Sequence, residues 1–145
     1  MKTFLTNSAE KTTELGKKLS ATFAPGLIIL SGDLGLGKTT FIKGLALGLG
    51  IENQITSPTF VLMKVYEVKN HPTIKKLIHI DAYRLENFSE LVDLGLEDWL
   101  HSGDSLIVME WGEKFEKDLE KYNPVKIIFK ETEREKREIQ IISNS

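Results

Sequence analysis

The sequence predicts an α/β fold: a mixed parallel and antiparallel sheet with helices on both faces. Three observations predict it. Short continuous apolar runs, Leu27-Ile28-Ile29-Leu30 and Leu106-Ile107-Val108-Met109, have the character of strands buried on both faces. Apolar residues elsewhere recur at helical spacing, as at Thr12, Leu15, Leu19 and Phe23. Strands alternate with helices early in the chain and pair as hairpins later, which calls for a mixed sheet between helical layers.

In order along the chain, Asn7 with Glu10 three residues on forms a capping-box pattern that opens the first helix. Pro25-Gly26 stops it, and Leu27 to Leu30 follows as a buried strand. The glycine-rich stretch Ser31 to Lys38 leads into a second helix, with Phe41, Ile42 and Leu45 as its apolar positions, running to about Leu49. Phe60 to Val68 has strand character, Lys69-Asn70-His71-Pro72 is a turn, and Lys76 to Ile80 is a strand ending at Asp81. Asn87 with Glu90 is a second capping pattern, opening a helical stretch to about Leu100 that breaks at Gly95. Ser105 to Trp111 is a strand, Glu113 to Tyr122 an amphipathic helix, and Val125 to Phe129 and Ile139 to Ile142 are two final strands joined by a charged turn.

Composition narrows the function classes. At 145 residues and 16.4 kDa, residues 1–145 are expected to form one domain. Lys and Arg number 19 against 21 Asp and Glu, a net charge of -2, which argues against a dedicated nucleic-acid binder. With no cysteine, disulfides, thiolate metal sites and a cysteine nucleophile are excluded. No apolar run approaches the roughly 18 residues of a membrane span. Met1 to Asn7 turns polar too soon for a signal peptide. A soluble, cytoplasmic protein is the expectation.

The chemistry is carried by Gly32-Asp33-Leu34-Gly35-Leu36-Gly37-Lys38-Thr39, which fits G-x-x-x-x-G-K-[ST]. Such a loop presents backbone N–H groups to phosphate oxygens, and glycines keep side chains out of the way. The helix that follows adds its positive end. Lys38 supplies a mobile charge for terminal phosphates, and the Thr39 hydroxyl suits Mg²⁺, a hard ion that takes oxygen ligands. A chance glycine turn would lack the buried strand before it and the helix after it. The expected fold is therefore a P-loop NTPase-like domain with ATP and Mg²⁺ as cofactors.

A carboxylate at a neighbouring strand end should hold the metal. Asp81 closes Leu77-Ile78-His79-Ile80 and Glu110 closes Leu106-Ile107-Val108-Met109; either could also be an ordinary exposed strand end. Adenine is favoured over guanine because no Asn/Thr-Lys-x-Asp segment occurs. The nearest approach, Glu116-Lys117-Asp118, falls on a mixed-charge helix. Thr56-Ser57-Pro58-Thr59-Phe60 lies where nucleotide hydrolases place a segment ordered by the terminal phosphate. It reads equally well as a turn set by Pro58. His71, His79 and His101 lack metal-ligand spacing, and His79 alone reads as a packed histidine. The run Lys130 to Arg137 reads as a solvated hairpin turn, the alternative being an arginine that reaches the nucleotide.

Taken together, the segments from Gly32 to Thr40, Thr56 to Phe60, His79-x-Asp81-x-Tyr83-Arg84-Leu85, Asp93 to Asp98 and Glu110-Trp111 resemble the TsaE family, P-loop ATPases of tRNA threonylcarbamoyladenosine biosynthesis. Order and spacing match over most of the chain; the last stretch carries no matching motif. The resemblance implies weak intrinsic ATP hydrolysis and assembly with TsaB and TsaD, the core that attaches threonylcarbamoyl to an adenosine beside the anticodon, so that tRNA is met indirectly. It implies that Gly32, Asp33, Leu34, Gly35, Leu36, Gly37 and Lys38 wrap the phosphates, that Thr39 binds Mg²⁺, and that Thr40 contacts the α-phosphate. It further implies that Asp81 and Glu110 hold Mg²⁺ or its waters, that Thr59 lies in a switch-like segment, and that Thr12 sits toward the adenine. Gly112 departs from the family, which often has Pro there.

Two other functions fit a phosphate loop. A small-molecule kinase would need an acceptor pocket and an arginine-bearing lid, for which the chain has no clear insertion. A nucleotide-gated binding switch would hydrolyse only incidentally. No arginine finger stands out: Arg84, three residues after Asp81, is the first internal candidate or else serves a partner surface, and Arg134 and Arg137 follow.

Overall fold

In the computed structural model, which describes residues 1–33, 35–52, 55, 62–69, 71–133 and 136–143, seven strands form one sheet in the order β1-β7-β6-β2-β5-β4-β3. These are β1 (Lys2–Thr6), β2 (Gly26–Ser31), β3 (Met63–Glu67), β4 (Lys76–Asp81), β5 (Ser105–Glu110), β6 (Val125–Glu131) and β7 (Arg137–Ile142). The central strands β6, β2, β5 and β4 run parallel, and β3, β7 and β1 join antiparallel toward the edges. The parallel centre is buried on both faces, which is why β2 and β5 are continuous apolar runs rather than alternating ones.

Helices α1 (Ala9–Leu19) and α2 (Lys38–Gly48) cover one face. There Leu15, Leu19, Phe41, Ile42 and Leu45 pack on Ile28, Leu30, Leu77, Leu106 and Val108. Helices α3 (Phe88–Asp93), α4 (Leu96–His101) and α5 (Glu116–Leu119) cover the other, where Leu91, Leu96 and Leu119 meet Leu27, Ile29, Ile78, Ile80, Ile107 and Met109. The two sets of sheet residues alternate along each strand, as the two-residue pleat requires. The expected mixed sheet between helical layers is the one observed. Among the described residues no helix is long and apolar enough to cross a membrane.

Several boundaries differ from expectation. β1 has no sequence expectation behind it: it is an edge strand with mostly exposed residues that, among the described residues, pairs with β7 alone. The first helix is capped by Ser8, whose hydroxyl accepts from Lys11 N at 3.1 Å, rather than by Asn7. It ends at Leu19; a 3₁₀ turn follows over Ser20–Thr22, and Phe23 is extended. The helix expected from Glu113 to Tyr122 is broken into a 3₁₀ turn, α5 and a second 3₁₀ turn. The break at Gly95 occurs as expected, with a left-handed φ of 89°. The Asn87–Glu90 capping box forms, with Glu90 Oε2 accepting from Asn87 N at 3.1 Å.

Candidate functional site

β2 ends against the glycine loop, and α2 begins at Lys38. Gly35 and Gly37 take left-handed φ values of 80° and 94°, which side chains rarely adopt and which turn the loop back over the helix N-terminus. Open space surrounds the position where a Cβ of Gly35 would stand, leaving backbone accessible to a ligand. Gly32 instead sits tight against β6, where a Cβ would come within 2.6 Å of the Phe129 carbonyl oxygen.

Lys38 is 5% exposed. Its ammonium donates to the Gly32 carbonyl at 2.7 Å and lies 3.7 Å from the centre of the Trp111 ring. Burial pushes it below the usual lysine range, opposed by the carboxylates of Glu110, Glu113, Asp81 and Asp33. A buried cation among carboxylates, held by its own loop, is poised to exchange those partners for an anion. The Thr39 hydroxyl donates to Glu110 Oε1 at 3.3 Å.

The parallel register of β4 and β5 places Asp81 beside Glu110. Both are buried at the carboxyl ends of adjacent strands, on the face that carries α2, in the crevice where open α/β sheets bind ligands. Asp81 Oδ1 accepts from Tyr83 N at 3.0 Å, and Glu110 Oε2 meets His79 Nε2 at 2.7 Å. Thr39 and Glu110 meet at one cleft and offer oxygen donors, the chemistry a hard divalent cation prefers, while Asp81 stands beside Glu110 in register and lines neither cleft at the loop.

Two clefts flank the loop. One, of about 230 Å³, is lined by Gly35, Gly37, Lys38, Thr39, Thr40, Glu110 and Trp111. The other, of about 370 Å³, is lined by Asn7, Ser8, Ala9, Thr12, Gly35, Leu36, Gly37, Thr40, Glu131 and Arg137. Gly35, Gly37 and Thr40 face both. Thr12 is buried, its hydroxyl 2.8 Å from that of Thr6 and 3.2 Å from the Ser8 carbonyl oxygen. Asp33 is exposed and lines neither cleft. Leu34, Thr59 with its segment Thr56 to Phe60, and Arg134 lie outside the described residues.

Strands β6 and β7 pair antiparallel on either side of the charged run, whose residues 134 and 135 lie outside the described residues, and Glu131 and Arg137 come together at 3.7 Å on the rim of the larger cleft. Arg84 is exposed just beyond Asp81. Sequence reasoning missed Asn7, Ser8 and Glu131 as cleft residues. They arrive there through β1 pairing with β7 and β7 with β6, long-range events with no local signal.

The strand–loop–helix unit and the crevice at the sheet's carboxyl edge define a P-loop NTPase-like fold. A crystal structure of YdiB from Bacillus subtilis superposes with a TM-score of 0.79 at 30% identity, over 99% of this chain and 86% of that one. The family model described as threonylcarbamoyl adenosine biosynthesis protein TsaE matches residues 6–139, and the chain belongs to the TsaE family. A tRNA threonylcarbamoyladenosine biosynthesis protein TsaE of Treponema pallidum is 39% identical over 119 residues, 81% of this chain and 84% of the relative. That of Bacillus subtilis is 39% identical over 135 residues, 92% of this chain and 80% of the relative.

Proposed function

We propose that this chain, residues 1–145 acting as one domain, is a Mg²⁺-dependent ATPase of the cytoplasm. In this reading it works with TsaB and TsaD in threonylcarbamoylation of the tRNA adenosine next to the anticodon, meeting tRNA only through that complex. The observation that carries this is the convergence of Lys38, Thr39 and Glu110 on one cleft at the glycine loop, with Asp81 in register beside Glu110.

The backbone N–H groups of the loop and the N-terminus of α2 bind phosphate oxygens. Lys38 leaves the Gly32 carbonyl and the Trp111 ring to bind the terminal phosphates. Thr39, with Glu110 and Asp81, would hold Mg²⁺, which when bound neutralises charge on the phosphates. One of the two carboxylates also orients the attacking water. Thr40 contacts the α-phosphate, and Thr12 sits toward the base. Thr59 contributes its hydroxyl to the nucleotide. Hydrolysis by the chain alone is slow, since among the described residues lining the cleft of Lys38 and Glu110 there is no arginine. Such an arginine contributes roughly 10³–10⁵ in rate in related hydrolases.

The test is phosphate release from ATP, with and without the TsaB–TsaD pair, together with calorimetric titration of ATP and GTP. Slow turnover alone, acceleration by the pair and tighter ATP binding are expected. Fast turnover unchanged by the pair, or equal GTP binding, contradicts the reading.

A further inference from the structure

His79 is fully buried, its Nε2 is 2.7 Å from Glu110 Oε2, and its Nδ1 has no hydrogen-bond partner among the described residues. The other oxygen of Glu110, Oε1, faces the Thr39 hydroxyl at 3.3 Å and the loop cleft. The two carboxylate oxygens therefore have different surroundings: one is tied into the sheet, one is presented to the cleft.

We propose that His79 is a positioning residue: as the Nε2–H tautomer it holds Oε2 of Glu110, so that Glu110 acts on the cleft through Oε1 alone. The tautomer follows from satisfaction. A proton on Nδ1 would be a buried donor with nothing to accept it, and Oε2 would then face a lone pair. A proton on Nε2 satisfies the carboxylate and leaves only a lone pair unmet, the smaller penalty.

The placement follows from the pleat. Along β4, Leu77, His79 and Asp81 point to the same face as Leu106, Val108 and Glu110 of β5, and the register sets His79 opposite Val108. A leucine would fill that apolar face without cost, yet would leave Oε2 buried without a donor. The ring is a short, stiff donor in a packed core, so the carboxylate cannot turn both oxygens toward the cleft. Outer partners of this kind set the orientation of a metal-binding carboxylate and are worth ~10–100-fold in metal affinity. The bond stands independently of the ATPase reading; its consequence at the cleft rests on that reading.

The imidazole ¹⁵N spectrum of the ligand-free full chain at neutral pH tests the bond, with His79 assigned by the signals lost in His79→Gln. A pyrrole-type Nε2 and a pyridine-type Nδ1 are expected; the opposite tautomer, or two pyrrole-type nitrogens, overturns the proposal. Calorimetry with ATP, in EDTA and in Mg²⁺, tests the consequence. His79→Leu should leave affinity in EDTA within about twofold and cut the gain on adding Mg²⁺ by ~10-fold. His79→Gln, which keeps a side-chain N–H donor, should restore most of that gain. An unchanged gain in a folded His79→Leu protein, or equal losses in the two variants, overturns it. Should His79→Leu fail to fold, the spectrum and His79→Gln still decide. A wild-type chain whose ATP binding ignores Mg²⁺ contradicts the ATPase reading instead, and the tautomer then decides the bond alone.

Discussion

The ammonium of Lys38 stands 3.7 Å from the centre of the Trp111 ring. Trp111 closes β5 directly after Glu110 with a left-handed φ of 64°, and its ring also packs on Tyr83 at 5.1 Å. Lys38, which we propose binds phosphate, thus rests on an aromatic face next to Glu110. Such a contact is worth roughly 0.5–2 kcal/mol, little enough for a polyanion to displace. Binding of Mg·ATP should change tryptophan emission by moving the cation off the indole. Trp99→Phe should keep the change and Trp111→Phe should abolish it; an emission unchanged by Mg·ATP in Trp99→Phe would show that Lys38 does not leave the ring.

Lys38→Ala and the carboxylate variants should differ in kind. In the proposed role Lys38 contacts phosphate in ground and transition states alike, so its loss should weaken nucleotide affinity by about 1.5–3 kcal/mol, the worth of a charged hydrogen bond. Glu110→Ala and Asp81→Ala should leave more of the binding and cost turnover, by roughly 10²–10³-fold for Glu110, because their roles grow as charge develops. Parallel calorimetry and phosphate-release assays separate the two. Mg²⁺-dependent turnover unchanged in Asp81→Ala would remove Asp81 from the metal site.

Gly44 and Gly16 let α1 and α2 approach. A Cβ on Gly44 would stand 2.0 Å from the Thr13 carbonyl oxygen, and one on Gly16 would stand 2.4 Å from that of Phe41. Both obstacles are backbone, which cannot swing aside. Gly44→Ala should therefore destabilise at or above the usual ~1–3 kcal/mol of overpacking, despite alanine's better helix propensity. Urea denaturation measures it; a neutral or stabilising effect would mean that the helices separate freely.

Tyr122 donates to Glu97 Oε1 at 2.7 Å. Burial, with the bond to and the charge of Glu97, pushes the phenol from 10.0 up to about 12. The folded protein thus keeps a proton that the unfolded chain releases. This stabilisation is whole below about pH 10 and is lost as pH rises through about 12. The stability gap between wild type and Tyr122→Phe should narrow across that interval. A constant gap, measured by urea midpoints, would show that the phenol titrates normally.

The features legible along the chain are those written by short-range chemistry. Glycines set between a buried strand and a helix announce the phosphate loop, since few other local structures need that spacing. Apolar runs ending in Asp81 and Glu110 announce two strand ends, and the Asn87–Glu90 pair announces a helix start. Family motifs spread over the chain identify it before any coordinate is known. Tertiary structure alone decided that Asp81 and Glu110 stand side by side, because strands 29 positions apart meet only through parallel register. It decided that His79, unremarkable as a sequence neighbour, is spent on Glu110. It also decided that the polar start of the chain pairs as β1 and carries Asn7 and Ser8 to a cleft shared with Arg137. Edge strands such as this have no two-sided burial to impose a pattern on their residues, so their place is set by the partner they meet rather than by their own composition.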